Sequence, residues 1–405
     1  MYVSTIRSAD TGRPGGRSRH AVPATVVGLG VVSLITDMSA EMVTAVLPLY
    51  LVYGLGVGYL QLGAIDGLYT GATALLRLAG GYLADRLGRP KAVALAGYGL
   101  SAVTKLGFPL AGSSLPLIGG LIGVDRAGKG VRTAPRDAMI TLATPADGLG
   151  RAFGVHRALD TAGALLGPLL AFGLLTLLVG DYTAVFGVSF CLGVVAVVVL
   201  AVFVRQPAGT LGRTRVGLRA GLMLLRGRGL RRTCMVAALL GLCTVGDMFL
   251  FVGVQQTAGL PSGALPLLPL ATALSFMALA TPVGRLADRL GRWRVFLLGH
   301  VVLLVAYVLL ALALSGWVVA GVVLLAHGVF YACTDGVLMA HAAPLVPEAL
   351  RATGLAIVQT GQALARACGA VLFGAVAAGL ALSPAFAVLA VALLVAVLVG
   401  GVVRS

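Results

Sequence analysis

The sequence predicts an all-α integral membrane protein: twelve transmembrane helices in two parallel six-helix repeats. Three observations predict it, namely a poverty of charge, apolar runs of bilayer length at regular spacing, and a motif that recurs half a chain later. Of 405 residues, 59% are hydrophobic and only 11% charged. Mean hydropathy is +1.01. Soluble domains are about 25% charged, so this chain lacks the groups to coat a water-facing surface. The excess of 30 Lys+Arg over 14 Asp+Glu does not make it a nucleic-acid binder, because such proteins are not this apolar. The five cysteines (Cys191, Cys234, Cys243, Cys333, Cys368) lie singly in apolar stretches. They form neither a disulfide framework nor a metal or redox cluster.

A membrane helix needs about 20 mainly apolar residues. Measured so, the first half holds spans at 24–52, 60–84, 92–112, 115–140, 151–180 and 182–204. The second half holds 233–255, 263–286, 294–314, 317–341, 352–379 and 384–403. A closed barrel would need alternating apolar and polar residues, and the run from Val194 through Phe203 does not alternate. Pro48, Pro135, Pro168 and Pro282 fall within or near spans and predict kinks. The 57 glycines allow close helix approach.

The connections divide by charge. Basic residues collect in the tail (Arg7, Arg13, Arg17, Arg19), at Arg86, Arg89 and Lys91, in Arg205–Arg232 with eight arginines and no acid, and at Arg289, Arg292 and Arg294. The alternate connections at 53–59, 111–114, around 181, 257–262, 315–316 and 380–383 hold no Lys or Arg. The positive-inside rule then puts both termini in the cytoplasm, and the expected location is the cell (inner) membrane. The apolar segment near the N-terminus is too long for a cleavable signal and no small-residue cleavage site follows it. The expected organisation is a basic tail 1–23, a six-helix bundle 24–204, a basic linker 205–232 that also attracts anionic lipid, and a second bundle 233–405.

Leu83-Ala-Asp-Arg-Leu-Gly-Arg89 recurs as Leu286-Ala-Asp-Arg-Leu-Gly-Arg292, an offset of 286 − 83 = 203 residues. A weaker echo pairs Arg151-Ala-Phe-Gly154 with Arg351-Ala-Thr-Gly354. Parallel repeats of this kind occur in transporters that rock two bundles about a midplane site. The segment Gly81–Lys91 resembles the signature of the major facilitator superfamily, and Gly284–Arg294 resembles its second-half copy. Arg126-Ala-Gly-Lys-Gly130 is similar to the family's fourth-helix motif, with Lys129 in the usual Gln place. Gly163-Ala-Leu-Leu-Gly-Pro168 is similar to the fifth-helix motif of its proton-driven exporters, although Leu170 and Ala171 stand where paired glycines are expected. Thr36–Glu41 and Asp125–Asp137 resemble a bacterial branch of the family to which these residues assign no substrate, and the motifs together resemble its drug:proton antiporter-like members.

The resemblance implies a transporter fold over the whole chain, with spans one, four, seven and ten around a central cavity. Spans three, six, nine and twelve would lie outside it. It also implies cytoplasmic latches: Asp85 meeting the start of span eleven near Arg351, and Asp288 meeting the start of span five near Arg151. A carboxylate is unfavourable at its own helix's C-terminus but favourable at another's N-terminus. The gate set is Gly81, Asp85, Arg86, Gly88, Arg89, Arg151, Gly284, Asp288, Arg289, Gly291, Arg292 and Arg351; the helix-five hinge is Gly163, Gly167 and Pro168. A topology-setting basic turn is the alternative for the repeated motif.

Ionisable residues inside a membrane are costly and are functional candidates. They are Asp37 and Glu41, four apart on one face of the first span, then Asp66, Asp125, Arg126, Asp247, His327, Asp335 and Arg366. Two close carboxylates at low dielectric repel, so Asp37 and Glu41 are the proton-coupling candidates, with Arg126 their expected counter-charge. A buried ion-pair network fixing helix register is the alternative. Lys105 and His300 are exceptions on outer spans; His156, Arg157 and Asp160 are expected at the cytoplasmic mouth.

The expected function is secondary transport of a small organic solute by alternating access, with proton-coupled efflux ahead of proton-coupled uptake. A lipid scramblase or channel is the reading from another class. No HExxH, GxSxG or GxxxxGK[ST] occurs, so an enzyme or ATP-driven pump is not expected. The expected partners are the solute, protons and the lipid bilayer, with no cofactor, no metal and no nucleic acid. The unit is expected to work as a monomer.

Overall fold

The computed structural model describes residues 22–87, 89–145, 148–178, 180–206, 223–347 and 350–402, with the backbone alone at 77–87, 150, 262 and 351–353. The described residues are helical almost throughout. The first six spans are α1 (Ala24–Leu49), α2 (Tyr59–Leu87), α3 (Pro90–Leu110), α4 (Leu115–Ala143), α5 (Leu149–Leu177) and α6 (Tyr182–Phe203). The next are α7 (Arg228–Leu242), α8 (Asp247–Thr257), α9 (Leu268–Leu290), α10 (Arg292–Ala311), α11 (Trp317–Ala342), α12 (Arg351–Leu380) and α13 (Leu382–Val402). The basic tail to Arg19 and most of the 205–232 linker lie outside the described residues.

Local chemistry sets the ends. Pro90 opens α3 at a position where its missing N–H costs nothing. Asp181 caps α6, its carboxylate accepting from the Thr183 N–H at 2.8 Å. Gly291 sits between α9 and α10 at φ +97°, a backbone that side chains resist. Of the four prolines, Pro48 precedes a π-helical turn at Tyr50–Gly54. Pro135, Pro168 and Pro282 lie inside continuous helices.

The seventh span, expected as one helix over 233–255, is two. α7 stops at Leu242 and α8 begins at Asp247. Tyr307 on α10 satisfies backbone groups that the break frees: its hydroxyl accepts from the Val245 N–H at 2.7 Å and donates to the Cys243 carbonyl at 3.4 Å. Hydropathy does not see this break, because every residue across it except Asp247 is apolar or small. The eighth span begins as a 3-10 turn, Ser262–Leu267.

Ten helical segments among the described residues are long and apolar enough to cross a membrane. α2 and α4 are long enough but less apolar, α2 through small and polar residues and α4 through the charges of 125–137, and only packing among the other helices makes their depth tolerable. Within the first half α1 packs on α5 and α6, and α4 on α2 and α3; within the second, α11 packs on α9 and α10, and α12 on α7.

The halves meet chiefly through α2 and α12. Gly63 lies against the Ala370 carbonyl and Gly374, and Gly67 against the Ala367 carbonyl, so the backbones touch where any side chain would intrude. The Tyr53 hydroxyl donates to Gln255, and the Tyr59 hydroxyl to Gln256 at 3.4 Å. The 262–267 turn rests on α1 and α5. All these contacts lie on the side opposite the basic turns. Toward the basic turns α2 and α12 diverge, and their residues from Thr70 to Ala74 and from Ala356 to Ala363 line a cavity.

Candidate functional site

The cavity between the halves has a volume of about 600 Å³. Its charged lining comprises Glu41, Asp66, Arg126 and Lys129 from the first half and Asp247, Asp335 and Arg366 from the second. Spans one, four, seven and ten contribute, and so do spans two, eight and eleven; no lining residue comes from three, six, nine or twelve.

Two polar constellations flank it; the first-half one reaches the lining through Glu41, Arg126 and Lys129, while Asp37, expected in the cavity, lies with Arg132, Arg136 and Asp160 outside the lining. In the second half, Tyr331 donates to Asp247 Oδ1 at 2.7 Å and accepts from Arg366 Nη2 at 3.1 Å. His327 Nε2 lies 3.5 Å from the same Asp247 oxygen, while its Nδ1 is 3.4 Å from Thr272 Oγ1. His327 is buried among Phe251, Phe330 and Tyr331, so it supports the wall without forming it.

In the first half, α1 and α4 run antiparallel and pair rung by rung. Lys129 Nζ is 3.6 Å from Glu41 Oε1, and Arg132 Nη2 is 3.6 Å from Asp37 Oδ1. Arg136 Nη1 donates to Ser33 Oγ at 3.3 Å and lies 3.8 Å from Asp160 Oδ1. Asp37 and Asp160 face one another. Gly163 and Gly167 permit this, since they seat α5 against the Leu34 and Met38 carbonyls of α1. The expected hinge at Gly163, Gly167 and Pro168 is therefore a close-packed seam in this conformation, within an unbroken helix.

Among the described residues Arg126 forms no direct ion pair with Asp37 or Glu41, although the Glu41 charge acts on it. It binds its chain neighbour Asp125, with Nη2 at 2.5 Å and Nε at 3.0 Å, and donates to the Tyr69 hydroxyl at 2.8 Å. Asp125 points away from the cavity. It is buried between α3 and α4, where Ser101 Oγ donates at 2.5 Å and Lys105 Nζ lies at 3.3 Å. The charge on outer span three is thus explained by Asp125. His300 is also buried, 2.9 Å from the Phe296 carbonyl.

Residues 29–334 and 271–404 match the family model described as Major Facilitator Superfamily. The chain belongs to that superfamily. It is 29% identical over 342 residues to an uncharacterized MFS-type transporter of Methanocaldococcus jannaschii, covering 82% of this chain and 83% of the relative. Its fold is similar to the crystal structure of the nucleoside transporter NupG, with a TM-score of 0.78, 14% identity, and 93% and 98% of the two chains covered. It is similar also to a POT family transporter in complex with a thioalcohol-conjugated peptide, with a TM-score of 0.74, 14% identity, and 92% and 94% covered. The protein is a multi-pass membrane transporter of the superfamily, not an enzyme.

The described contacts of the second-half signature turn stay within its own half. Asp288 pairs with Arg292 one helical turn on, at 3.0 Å, across Gly291. Arg292 Nη1 also donates to the Ala340 carbonyl at 2.8 Å, tying the turn to α11. No ion pair between Asp288 and Arg151 is present among the described residues. Arg89 and Arg289 are exposed, and Gly284 has open space around it. Gly88 lies outside the described residues, as do the side chains of Gly81, Asp85, Arg86 and Arg351.

Sequence reasoning missed Arg132, Arg136, Tyr69 and Gly246, noted Lys129 only as a departure from a motif, and placed Asp160 at the mouth. A signal existed for the cations. Positions 129, 132 and 136 share one helical face, matching the four-residue spacing of 33, 37 and 41 on α1.

Proposed function

We propose that the protein moves a small polar solute carrying both charge signs across the cell membrane in exchange for protons, by alternating access. The observation that carries this reading is the cavity itself. Three cations and four carboxylates line about 600 Å³, divided between two halves that touch on one side and part on the other. A solute with both signs meets partners from each half, and so gains contacts by drawing them together. Of the solved structures of similar fold, one is named for a nucleoside transporter and another is a POT family transporter in complex with a conjugated peptide, both polar solutes. Proton exchange is supported by carboxyls without full partners: Asp37 against Asp160, and Asp66 with a buried unbonded oxygen. The resemblance of Gly163–Pro168 to an exporter motif favours outward transport.

On this reading the basic turns face the cytoplasm, both termini are cytoplasmic, and the unit works as a monomer. Asp85 with Arg351, and Asp288 with Arg151, close the cytoplasmic side in the opposite phase of the cycle. Proton-coupled uptake is the second reading, favoured by a wall too polar for a broad-specificity hydrophobic pocket.

Everted vesicles acidified inside and loaded with a pH-sensitive dye distinguish the two. Amino acids, dipeptides and nucleosides added one at a time should release lumenal protons for an antiported solute. A compound whose efflux from preloaded vesicles carries lumenal protons out with it establishes symport. Absence of any coupled flux across the panel, in vesicles that show binding, would sink proton coupling.

A further inference from the structure

Asp66 stands on α2 between Gly63 and Gly67, the two positions where the first half touches the backbone of α12. Its carboxyl enters the break of the seventh span and occupies the space that a side chain at Gly246 would need. The residue is 4% exposed. The carboxyl is turned toward the Met248 N–H at the start of α8, but Oδ2 is buried with no hydrogen-bond partner. An ionised oxygen held against a glycine methylene with no donor is a costly arrangement, and a proton on it removes that cost.

We propose that Asp66 is the protonation site that governs closure of the face opposite the basic turns. This rests on the proton-coupled reading above and names the group that does the coupling. Asp66 belongs to one half and Gly246 to the other, so opening that face must withdraw the carboxyl from the break into a wetted cleft. There it ionises at little cost. The closed state therefore binds the proton more tightly than the open one. By linkage, acid favours closure of this face, and rising pH favours its opening.

The surrounding charges fit this division. Asp247 on α8 faces Asp66 and adds like charge; Arg366 on α12 is engaged by Tyr331 of α11. On α4 Arg126 is held by Asp125 and Tyr69, and Glu41 on α1 is paired to Lys129. Asp66 also lines the cavity that opens between the diverging halves. A proton taken from one face can thus be given up at the other, without Asp66 leaving its helix.

The test needs no solute. Leu178 and Leu314 are exposed on the far side, one in each half. Both are replaced by spin-labelled cysteines in the purified full chain, and their separation is read by pulsed electron paramagnetic resonance at acid and alkaline pH. The wild type is expected to pass from a short to a long separation as pH rises. Asp66→Asn, which mimics the neutral acid in shape, should hold the short separation at both. Gly246→Ala, which expels the carboxyl, should hold the long one, giving a second variant of opposite sign. Asp37→Asn and Glu41→Gln should keep the wild-type shift. A pH shift that survives Asp66→Asn, or that vanishes in Asp37→Asn instead, overturns the assignment. If the shift behaves as expected but the vesicles show no coupled flux, the broader functional reading falls while the assignment stands.

Discussion

The carboxyl of Asp66 fills the space that a side chain at Gly246 would occupy, so a group from the first half is seated in the broken helix of the second. Gly246→Ala forces one of the two to move. Overpacking of this kind costs about 1–3 kcal/mol, expected as a lower midpoint of thermal unfolding in detergent. The double variant Asp66→Ala, Gly246→Ala should recover most of the loss, because the clash needs both groups. Additive losses would show that the contact contributes nothing to stability.

Asp125 serves two buried cations at once. Its side chain is 9% exposed, and Lys105 and Arg126 beside it are 2% and 4% exposed. Removing one partner of a buried ionic cluster costs about 3–5 kcal/mol, because charge is left uncompensated. Asp125→Asn should therefore sharply reduce the folded, monodisperse yield in gel filtration. The companion variant Asp125→Asn, Lys105→Met should restore part of it. A full yield in the single variant would show that water reaches the cluster.

Gly63 sits where α2 and α12 touch, with the Ala370 carbonyl 2.5 Å from where a Cβ would be. Gly63→Val should hold the far side apart. With the five native cysteines replaced by serine, a Tyr53→Cys, Gln255→Cys pair, which two long side chains bridge in the parent, should be joined by a short bifunctional thiol cross-linker in the parent and several-fold more slowly in Gly63→Val. Equal rates would mean that the closure does not depend on this backbone contact.

Asp288 separates the stability of the turn from its proposed role in the cycle. Its pairing with Arg292 is exposed, and such pairs contribute about 0–1 kcal/mol. Asp288→Asn should leave the amount of folded protein unchanged while slowing coupled flux several-fold in vesicles, and Asp85→Asn should do the same. Full flux in both would leave the repeated motif a determinant of topology alone.

Much of the site was visible before the fold was known, but as residues without partners. Asp37, Glu41, Asp66, Asp247 and Arg366 stand out because charge in an apolar span is expensive. Which charge meets which depends on helix rotation and crossing, and these are set by small residues whose contacts lie far away in sequence. Arg126 illustrates the limit: the sequence suggests the depth of Asp37 and Glu41, yet the antiparallel register sets it one turn beyond Glu41, where it meets Asp125 and Tyr69. The cations that do meet the α1 carboxylates, Lys129 and Arg132, lie one and two turns further along α4.

By itself the sequence determined the class of solvent, the number of spans, the placement of basic turns on one side and the duplication of the chain. Each follows from local cost: apolar length against bilayer thickness, and charge against hydrocarbon. The tertiary structure decided what distant segments settle jointly. It broke the seventh span at 243–246, where Tyr307 replaces lost backbone bonds, and brought Asp66 into that break. It turned Asp125 away from the cavity and toward Lys105, and placed Asp160 against Asp37 through the Gly163 and Gly167 seam. These outcomes turn on how closely two backbones approach, and that depends on both helices at once.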